Sequence, residues 1–430
     1  MTQSKVGNGR WLRIMPIAFI MYTFAYIDRN NIGFGFAGMQ KDLGFSAAYS
    51  GLAGGIFFIG FLVFQVHGGI WARKYGARKV ITICLVIWSV FAFLTGTVHN
   101  IAELLAVRFI LGMVEGIVWP ASLILISNWF PQKERARATA YFMLGTPISA
   151  IIMSPISGYL LDHTSWRVMF FIEAIPPLAW ALLWWFGISD KPSLAKWISK
   201  EEKDYIETSL ASENSSANVS KNGFLVALKD RNVMVLSFSG FFGIMGLYGL
   251  GLWLPTVVKT ITHGSNTMVG LISALPWISA MIGSIVISHL SDRTGNHKGF
   301  YALICTSGTI FLLVATFAGT IHPYVAIIAL ICLNLSFAKN APFWAIPTAV
   351  LSRDMLPNSI GIINGIGNLG GFFGPYVFGL LMTFTHSTKA GTTFFSLSLL
   401  VSALLILMIR QTVSNPRDTK SPKHATETTL

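Results

Sequence analysis

Two oppositely charged neighbours, Asp28 and Arg29, interrupt an apolar stretch near the start of the chain, in the segment YIDRNNIGFG. Ionisable side chains within lipid are costly and usually face a protein interior or a wet cavity. Adjacent helical residues point about 100° apart, so each of these two can face its own partner. We therefore predict a proton-carrying carboxylate at Asp28 beside an anion-binding guanidinium at Arg29. The alternative is an ion pair that only holds helices together.

A second pair of charges, Arg108 and Glu115, lies in the apolar segment RFILGMVEG. Seven residues make two helical turns, so both side chains share one face, roughly 10 Å apart. A substrate, or Asp28 and Arg29 from another helix, could lie between them. Burial disfavours a charged carboxylate and a nearby cation favours it, so such a group can exchange protons near neutral pH. A structural salt bridge between helices is the alternative.

The second half of the chain offers fewer polar groups. Lys339 and Trp344 lie in FAKNAPFWAIP, where two prolines remove backbone donors and kink the helix. Asn364 and Asn368 are four residues apart and share one helix face. We predict that these four side chains line the substrate site from the second half. Snorkelling of Lys339 and hydrogen bonds between helices are the alternatives.

Long apolar helices must position these residues. The chain is 53% hydrophobic and 11% charged, far below the roughly 25% charged residues of soluble domains. A helix needs about 20 mostly apolar residues to cross a bilayer. We predict an all-α membrane protein with twelve spans, at 14–37, 46–70, 80–98, 102–126, 137–161, 166–187, 232–258, 267–290, 299–320, 322–350, 358–384 and 392–411.

A charged and polar segment, 188–231, divides the spans into six and six. It predicts a cytoplasmic linker between an N-terminal six-helix bundle, 14–187, and a C-terminal six-helix bundle, 232–411. Residues 1–13 form a cytoplasmic segment, and 412–430 form a polar cytoplasmic tail. Most of the 31 Lys and Arg fall on the side of the N-terminus, the linker and the tail. This bias predicts that both termini are inside the cell.

The two halves resemble each other. The loop GIWARKYGAR (69–78) returns in weaker form as SHLSDRTGNH (288–297), and SPISGYLL (154–161) has a counterpart in GPYVFGLL (374–381). Two parallel repeats of six helices are typical of transporters whose substrate site lies between the halves.

Several other function classes lack support. The net charge of +13 falls in short clusters between apolar runs, the pattern of cytoplasmic loops rather than of a nucleic-acid-binding surface. Gly365, Gly367 and Gly370 match a dinucleotide motif, but no strand precedes them. No motif predicts an enzyme, a cofactor or a metal site. Glu173, six residues after Arg167, is expected to be structural.

Taken together, these motifs resemble the major facilitator superfamily along almost the whole chain. GIWARKYGARK looks like its signature loop between spans two and three. YIDRNNIGF, RFILGMVEG, NWFPQKERARA, PFWAIP and INGIGNLGGFFGPY resemble the anion:cation symporter family within it. Three positions differ from that pattern. Arg73 stands where the signature usually has an acidic residue, Phe61 stands where relatives often have tyrosine, and His67 stands where relatives often have proline.

The resemblance implies the roles of several residues. Asp28 and Glu115 match the proton-coupling acids of sugar-acid members, and Arg29 and Arg108 match the arginines that serve coupling and bind the substrate carboxylate. The signature loop controls gating. Its residues here and in the second copy are Gly69, Arg73, Gly76, Arg78, Asp292 and Arg293.

We therefore expect a monomer in the bacterial inner membrane, surrounded by lipid, that imports a small organic anion together with protons by alternating access. A sugar acid, a tartrate-like acid and an aromatic carboxylate would all meet the same arginines. The alternatives are a proton-coupled efflux antiporter for lipophilic compounds and a membrane receptor or enzyme without transport.

Overall fold

A computed structural model describes residues 7–213, 223–319, 321–352 and 355–410. These residues form α-helices joined by short turns, with two 3-10 segments, Pro192–Leu194 and Asn334–Lys339. The helices are α1 (Gly9–Asn30), α2 (Ile32–Leu43), α3 (Ala47–Tyr75), α4 (Ala77–Thr95), α5 (Ile101–Trp129), α6 (Gln132–Met143), α7 (Gly145–His163), α8 (Trp166–Glu173), α9 (Ile175–Gly187), α10 (Lys200–Glu213), α11 (Gly223–Lys229), α12 (Arg231–Thr262), α13 (Asn266–Thr294), α14 (His297–Ala318), α15 (Pro323–Leu333), α16 (Asn340–Val350), α17 (Leu356–Thr385) and α18 (Thr388–Leu407).

The helices account for the predicted spans. Eleven stretches of helix in the described residues are long and apolar enough to cross a membrane, including the consecutive pairs α6–α7, α8–α9 and α15–α16. The α1–α2 pair corresponds to the first predicted span but is not among the eleven. An all-helical membrane protein is therefore confirmed. The count of twelve spans, the domain boundaries and the orientation stay predictions, and 1–6, 214–222 and 411–430 lie outside the described residues.

Side-chain caps fix where several helices begin. Asn100 accepts the backbone N–H of Glu103 at the start of α5, and Ser265 accepts that of Met268 at the start of α13. These caps satisfy amide donors that have no partner within the first turn. The helix bundle has two ends, and both of these caps lie at the same one. The end that contains α10, Gly9, Tyr75 and Trp129 is called the linker end, and the opposite one the far end.

Glycines allow helices to approach each other closely. A Cβ at Gly112 of α5 would meet the backbone carbonyl of Phe57 in α3, and one at Gly370 or Gly374 of α17 would meet carbonyls of α12. Small-residue pairs of this kind let helix backbones touch in lipid. At Gly370 and Gly374 the backbones of α17 and α12 therefore lie in close contact. Around Gly361, in contrast, a Cβ would meet no atom within 4 Å.

The N-terminal helices (α1–α9) contact the C-terminal helices (α12–α18) at the far end through α2 with α12, α3 with α17 and α7 with α13. Gly158 and Gly270 bring α7 and α13 backbone to backbone. The Asp162 carboxylate accepts the N–H groups of Asn266 (2.9 Å) and Thr267 (2.7 Å), which caps the first turn of α13 from the other half. The far end is therefore closed.

Toward the linker end the two halves separate. Val66 and Ile70 of α3 are 70% and 56% exposed, and Gly361 and Gly365 of α17 face open space. The same two helices touch near the far end, where the Ala48 N–H donates to Thr383 at 2.8 Å. A gap between the halves that opens only at the linker end is the arrangement of an inward-facing transporter under the predicted orientation.

Part of the linker packs on the N-terminal helices. Arg10 of α1 donates to Glu202 of α10 (2.7 Å) and to Glu134 of α6 (2.9 Å), and Tyr205 also donates to Glu134 (3.1 Å). Glu202 further accepts the backbone N–H groups of Gly9 and Arg10. Each charge in this cluster has several partners, which offsets the cost of burying it.

The close contact of α5 with α3 predicts a stability effect. Gly112→Ala places a methyl group against the Phe57 carbonyl, and such overpacking costs about 1–3 kcal/mol. We expect a thermal midpoint lower by a few degrees for the purified protein in detergent.

The matched control is Gly361→Ala, where the methyl group meets open space. Alanine is about 1 kcal/mol better than glycine within a helix, so this midpoint should stay or rise. Equal losses in both variants would contradict the packing argument.

Candidate functional site

Asp28 and Arg29 lie in the last turn of α1, just before the helix breaks at Asn31, and both are buried. Arg29 Nη2 donates to Glu115 Oε2 of α5 at 2.9 Å. The Asp28 carboxylate turns elsewhere and accepts from the Trp88 indole N–H and from Asn31 Nδ2, the latter at 3.3 Å. The prediction that these neighbours face different partners is confirmed.

Arg108 has a partly free guanidinium group. It is 1% exposed, and Nη1 donates to the backbone carbonyl of Asp28 at 3.2 Å. Nε and Nη2 have no hydrogen-bond partner among the described residues. These two N–H groups form one edge of the guanidinium, the geometry that binds both oxygens of a carboxylate. Leaving such donors buried and unpaired is costly, so the edge favours an anionic ligand.

Glu115 is the ion-pair partner of Arg29. Its Oε2 takes the hydrogen bond of Arg29, while its Oε1 is buried with no partner among the described residues. Arg108 and Glu115 lie on one helix as predicted, and Glu115 pairs with Arg29 of α1, one of the partners that the sequence left open. The free carboxylate oxygen can hold a proton.

Aromatic rings enclose the Arg29 guanidinium. Its Cζ lies 4.4 Å from the ring centre of Tyr26, 5.2 Å from that of Phe57 and 5.0 Å from that of Phe61. Phe61 thus contacts Arg29 through its ring face, an attraction that needs no hydroxyl group. The Tyr26 hydroxyl also reaches the Tyr248 hydroxyl of α12 at 3.3 Å, which joins this site to the C-terminal helices.

The sequence reasoning missed Trp88 and Asn31. Trp88 lies in the apolar run CLVIWSVFAF, where a tryptophan reads as core packing, although its indole N–H requires an acceptor when buried. Asn31 is a polar residue in the first predicted span and was a usable signal. Glu173 also belongs here, since it accepts from Asn31 Nδ2 at 2.9 Å.

The predicted residues of the second half do not join this cluster. Lys339 is buried, and its Nζ has no hydrogen-bond partner among the described residues. Its side chain lies beside Gly243 of α12, next to the Tyr301 hydroxyl of α14, so it points into the C-terminal helices. The 3-10 segment that ends at Lys339 sets this direction of the side chain. The role of Lys339 as a substrate contact stays a prediction.

The other three residues are Asn364, Asn368 and Trp344, of which Asn364 is half-buried and Asn368 is buried. Asn368 Nδ2 donates to Asn364 Oδ1 at 3.2 Å, which leaves the Asn364 amide donor and the Asn368 oxygen for other partners. Trp344 is 37% exposed and packs edge-on against Phe343.

The predicted gating loop has one strong contact at the linker end. Gly76 adopts a φ of 89°, a conformation that favours glycine, and a Cβ there would strike the Asp190 carboxylate. Asp190 accepts the Arg78 N–H at 2.8 Å and so caps α4, while Arg78 Nε donates to the Trp185 carbonyl. The remaining loop residues, Gly69, Arg73, Asp292 and Arg293, lie partly or fully exposed.

Comparisons with known proteins fit this geometry. The Major Facilitator Superfamily model matches residues 18–375. A protein of Agrobacterium vitis named "Putative tartrate transporter" is 34% identical over 407 residues, which cover 93% of this chain and 94% of that protein. A protein of Acinetobacter baumannii named "Quinolone resistance transporter" is 30% identical over 404 residues, which cover 92% of this chain and 93% of that protein.

A solved structure shows the same fold. The inward open conformation of the xylose transporter XylE from E. coli matches with a TM-score of 0.75 and 14% identity, covering 94% of this chain and 97% of that one. The family match spans most of the chain and the helices have the family's arrangement. The chain therefore belongs to the major facilitator superfamily, and it is a membrane transporter rather than an enzyme.

Proposed function

We propose that the protein imports a small organic anion into the bacterial cell together with protons, by alternating access, with both termini in the cytoplasm. The observation that carries this proposal is the unpartnered Nε–Nη2 edge of Arg108. A carboxylate would satisfy both donors at once. A relative named as a tartrate transporter supports the same class of substrate.

The proton-coupling role falls to Glu115 and Asp28. Glu115 is paired with Arg29, and Arg108 is bonded to the backbone of Asp28, so the two acids and the two arginines form one buried cluster. A substrate anion at Arg108 adds negative charge to this cluster, and uptake of a proton by a carboxylate compensates it. Asn364, Asn368 and Trp344 contribute contacts from the C-terminal half, and the loops around Arg73 and Asp292 act in gating.

The relative named as a quinolone resistance transporter gives a reason to test efflux as the second candidate. The sign of the pH change distinguishes the two. Import with protons acidifies the lumen of liposomes when the substrate is added outside, whereas an antiporter makes it more alkaline.

The central test uses purified protein in liposomes with a trapped pH dye. We expect internal acidification when one acid of a panel of tartrate isomers, sugar acids and aromatic acids is added. Glu115→Gln should abolish this signal because an amide cannot carry the proton, while exchange of substrate across the membrane without a pH gradient continues. Full proton-driven accumulation by Glu115→Gln would disprove its assigned role.

A second prediction concerns substrate affinity. Arg108→Lys keeps the charge but loses the paired N–H edge. A charge-assisted hydrogen bond contributes about 1.5–3 kcal/mol, and 1.4 kcal/mol is tenfold. We therefore expect the half-saturating substrate concentration in counterflow to rise at least about tenfold.

The control for this change is Arg231→Lys, at an exposed position at the linker end, which should transport normally. Unchanged affinity in Arg108→Lys would mean that the carboxylate binds elsewhere.

A further inference from the structure

Glu173 is a buried carboxyl group, 8% exposed, at the last residue of α8. Its Oε1 accepts from Ser157 Oγ of α7 at 2.6 Å, and its Oε2 accepts from Asn31 Nδ2 at 2.9 Å. Both donors are neutral, and Glu173 takes part in none of the ion pairs of the described residues. A buried carboxylate without a cation is costly, so its surroundings favour the protonated form.

Asn31 links this group to the proposed coupling site. The same Nδ2 atom that donates to Glu173 also donates to Asp28 Oδ1 at 3.3 Å. Asn31 is fully buried, and its Oδ1 has no partner among the described residues. The residue lies at the break between α1 and α2, one turn closer to the far end than Asp28. A single amide therefore bridges two carboxyl groups on different helices.

The charge of the buried cluster leaves room for one proton. Apart from Arg10, which is paired with Glu134 and Glu202 at the linker end, the buried charged groups of the described N-terminal helices are the carboxyl groups of Asp28, Glu115 and Glu173 and the guanidinium groups of Arg29 and Arg108. With all five ionised, three negative and two positive charges leave one negative charge in excess. Arg29 pairs with Glu115, and Arg108 donates only to the backbone carbonyl of Asp28. The carboxyl groups of Asp28 and Glu173 therefore both lack an ion-pair partner among the described residues.

No other charged side chain of the packed elements compensates Glu173. In the helices packed around it, α4 and α9 carry no charge beyond the linker end of α4. The remaining charged groups lie toward helix ends or are engaged elsewhere: Arg167 donates to the carbonyls of Gly96 and Val98, Asp42 accepts from Trp166, Asp162 caps α13, and Lys41 and His163 lie at the far-end turns.

We propose that Glu173 is a third proton-carrying group, which passes the coupling proton to Asp28 from the far-end side; the inference rests on the proposed proton symport. Protonated Glu173 releases its proton and becomes a carboxylate, and the Asp28 carboxylate accepts one proton. The Asn31 amide serves both states, because its N–H group donates to a carboxylate and its oxygen accepts from a protonated carboxyl group when the amide turns over.

The test is Glu173→Gln in the liposome assay, with tartrate and the other acids of the panel as probes. Glutamine mimics the protonated group permanently and cannot release a proton. We expect the proton-driven accumulation and the dye acidification to fall at least about tenfold, while counterflow exchange stays within about twofold of the unmodified protein. Glu173→Asp should restore part of the acidification.

The matched control is Glu103→Gln, a carboxylate exposed at the far end, which should acidify the lumen normally. Normal acidification by Glu173→Gln, or equal loss of counterflow and acidification in the glutamine and aspartate variants, would reduce Glu173 to a structural role and overturn the inference. A sodium dependence of uptake that Glu173→Gln removes would also overturn it in favour of a cation site. Failure of the unmodified protein to acidify would instead defeat the proposed function itself.

Discussion

The ion pair between Arg29 and Glu115 sets the arrangement of the N-terminal helices. It joins α1 to α5 at 2.9 Å in a place where neither side chain is exposed. Two buried charges lose their hydration, and removing one partner alone would leave an uncompensated charge at a cost of about 3–5 kcal/mol. The rings of Tyr26, Phe57 and Phe61 recover part of that cost through cation–π attraction. Helices α1, α3 and α5 must therefore keep their mutual positions during any motion that leaves the pair intact.

Around this pair the structure concentrates polar atoms that have no partner among the described residues. They are Arg29 Nε, Arg108 Nε, Arg108 Nη2, Glu115 Oε1 and Asn31 Oδ1. Folded proteins pair nearly all buried polar groups, and exceptions call for an explanation. Five of the twelve such atoms in the described residues lie around this pair, and they include both donors and acceptors. The same region can therefore bind an anion and a proton. Buried polar atoms without hydrogen-bond partners are expected at a site whose residues serve function rather than stability.

The sequence predicted the helices well because hydropathy depends on composition alone. The predicted span 102–126 lies within α5, and the predicted span 46–70 begins one residue before α3 and ends a few residues before its end. The partner of each charge was harder to predict. Periodicity places Arg108 and Glu115 on one face of α5, but it cannot decide between a substrate and the residues of α1 as partners, and the structure gives Arg29 to Glu115. Lys339 shows a different difficulty. The predicted span 322–350 contains the 3-10 segment Asn334–Lys339. A 3-10 helix has about 3.0 residues per turn instead of 3.6, so the side chains that follow point in other directions than a continuous α-helix would give them.

The clamp of Arg10 with Glu134 and Glu202 has a mechanical consequence. It fixes α10 to α1 and α6, and a second ion pair, Arg135 with Glu213 at 3.0 Å, holds the other end of α10 to the same half. Helix α10 therefore belongs to the rigid frame of the N-terminal helices and travels with them. In the alternating access that we propose, the C-terminal helices move relative to a frame that includes α10. This part of the linker is then a fixed element of the N-terminal half.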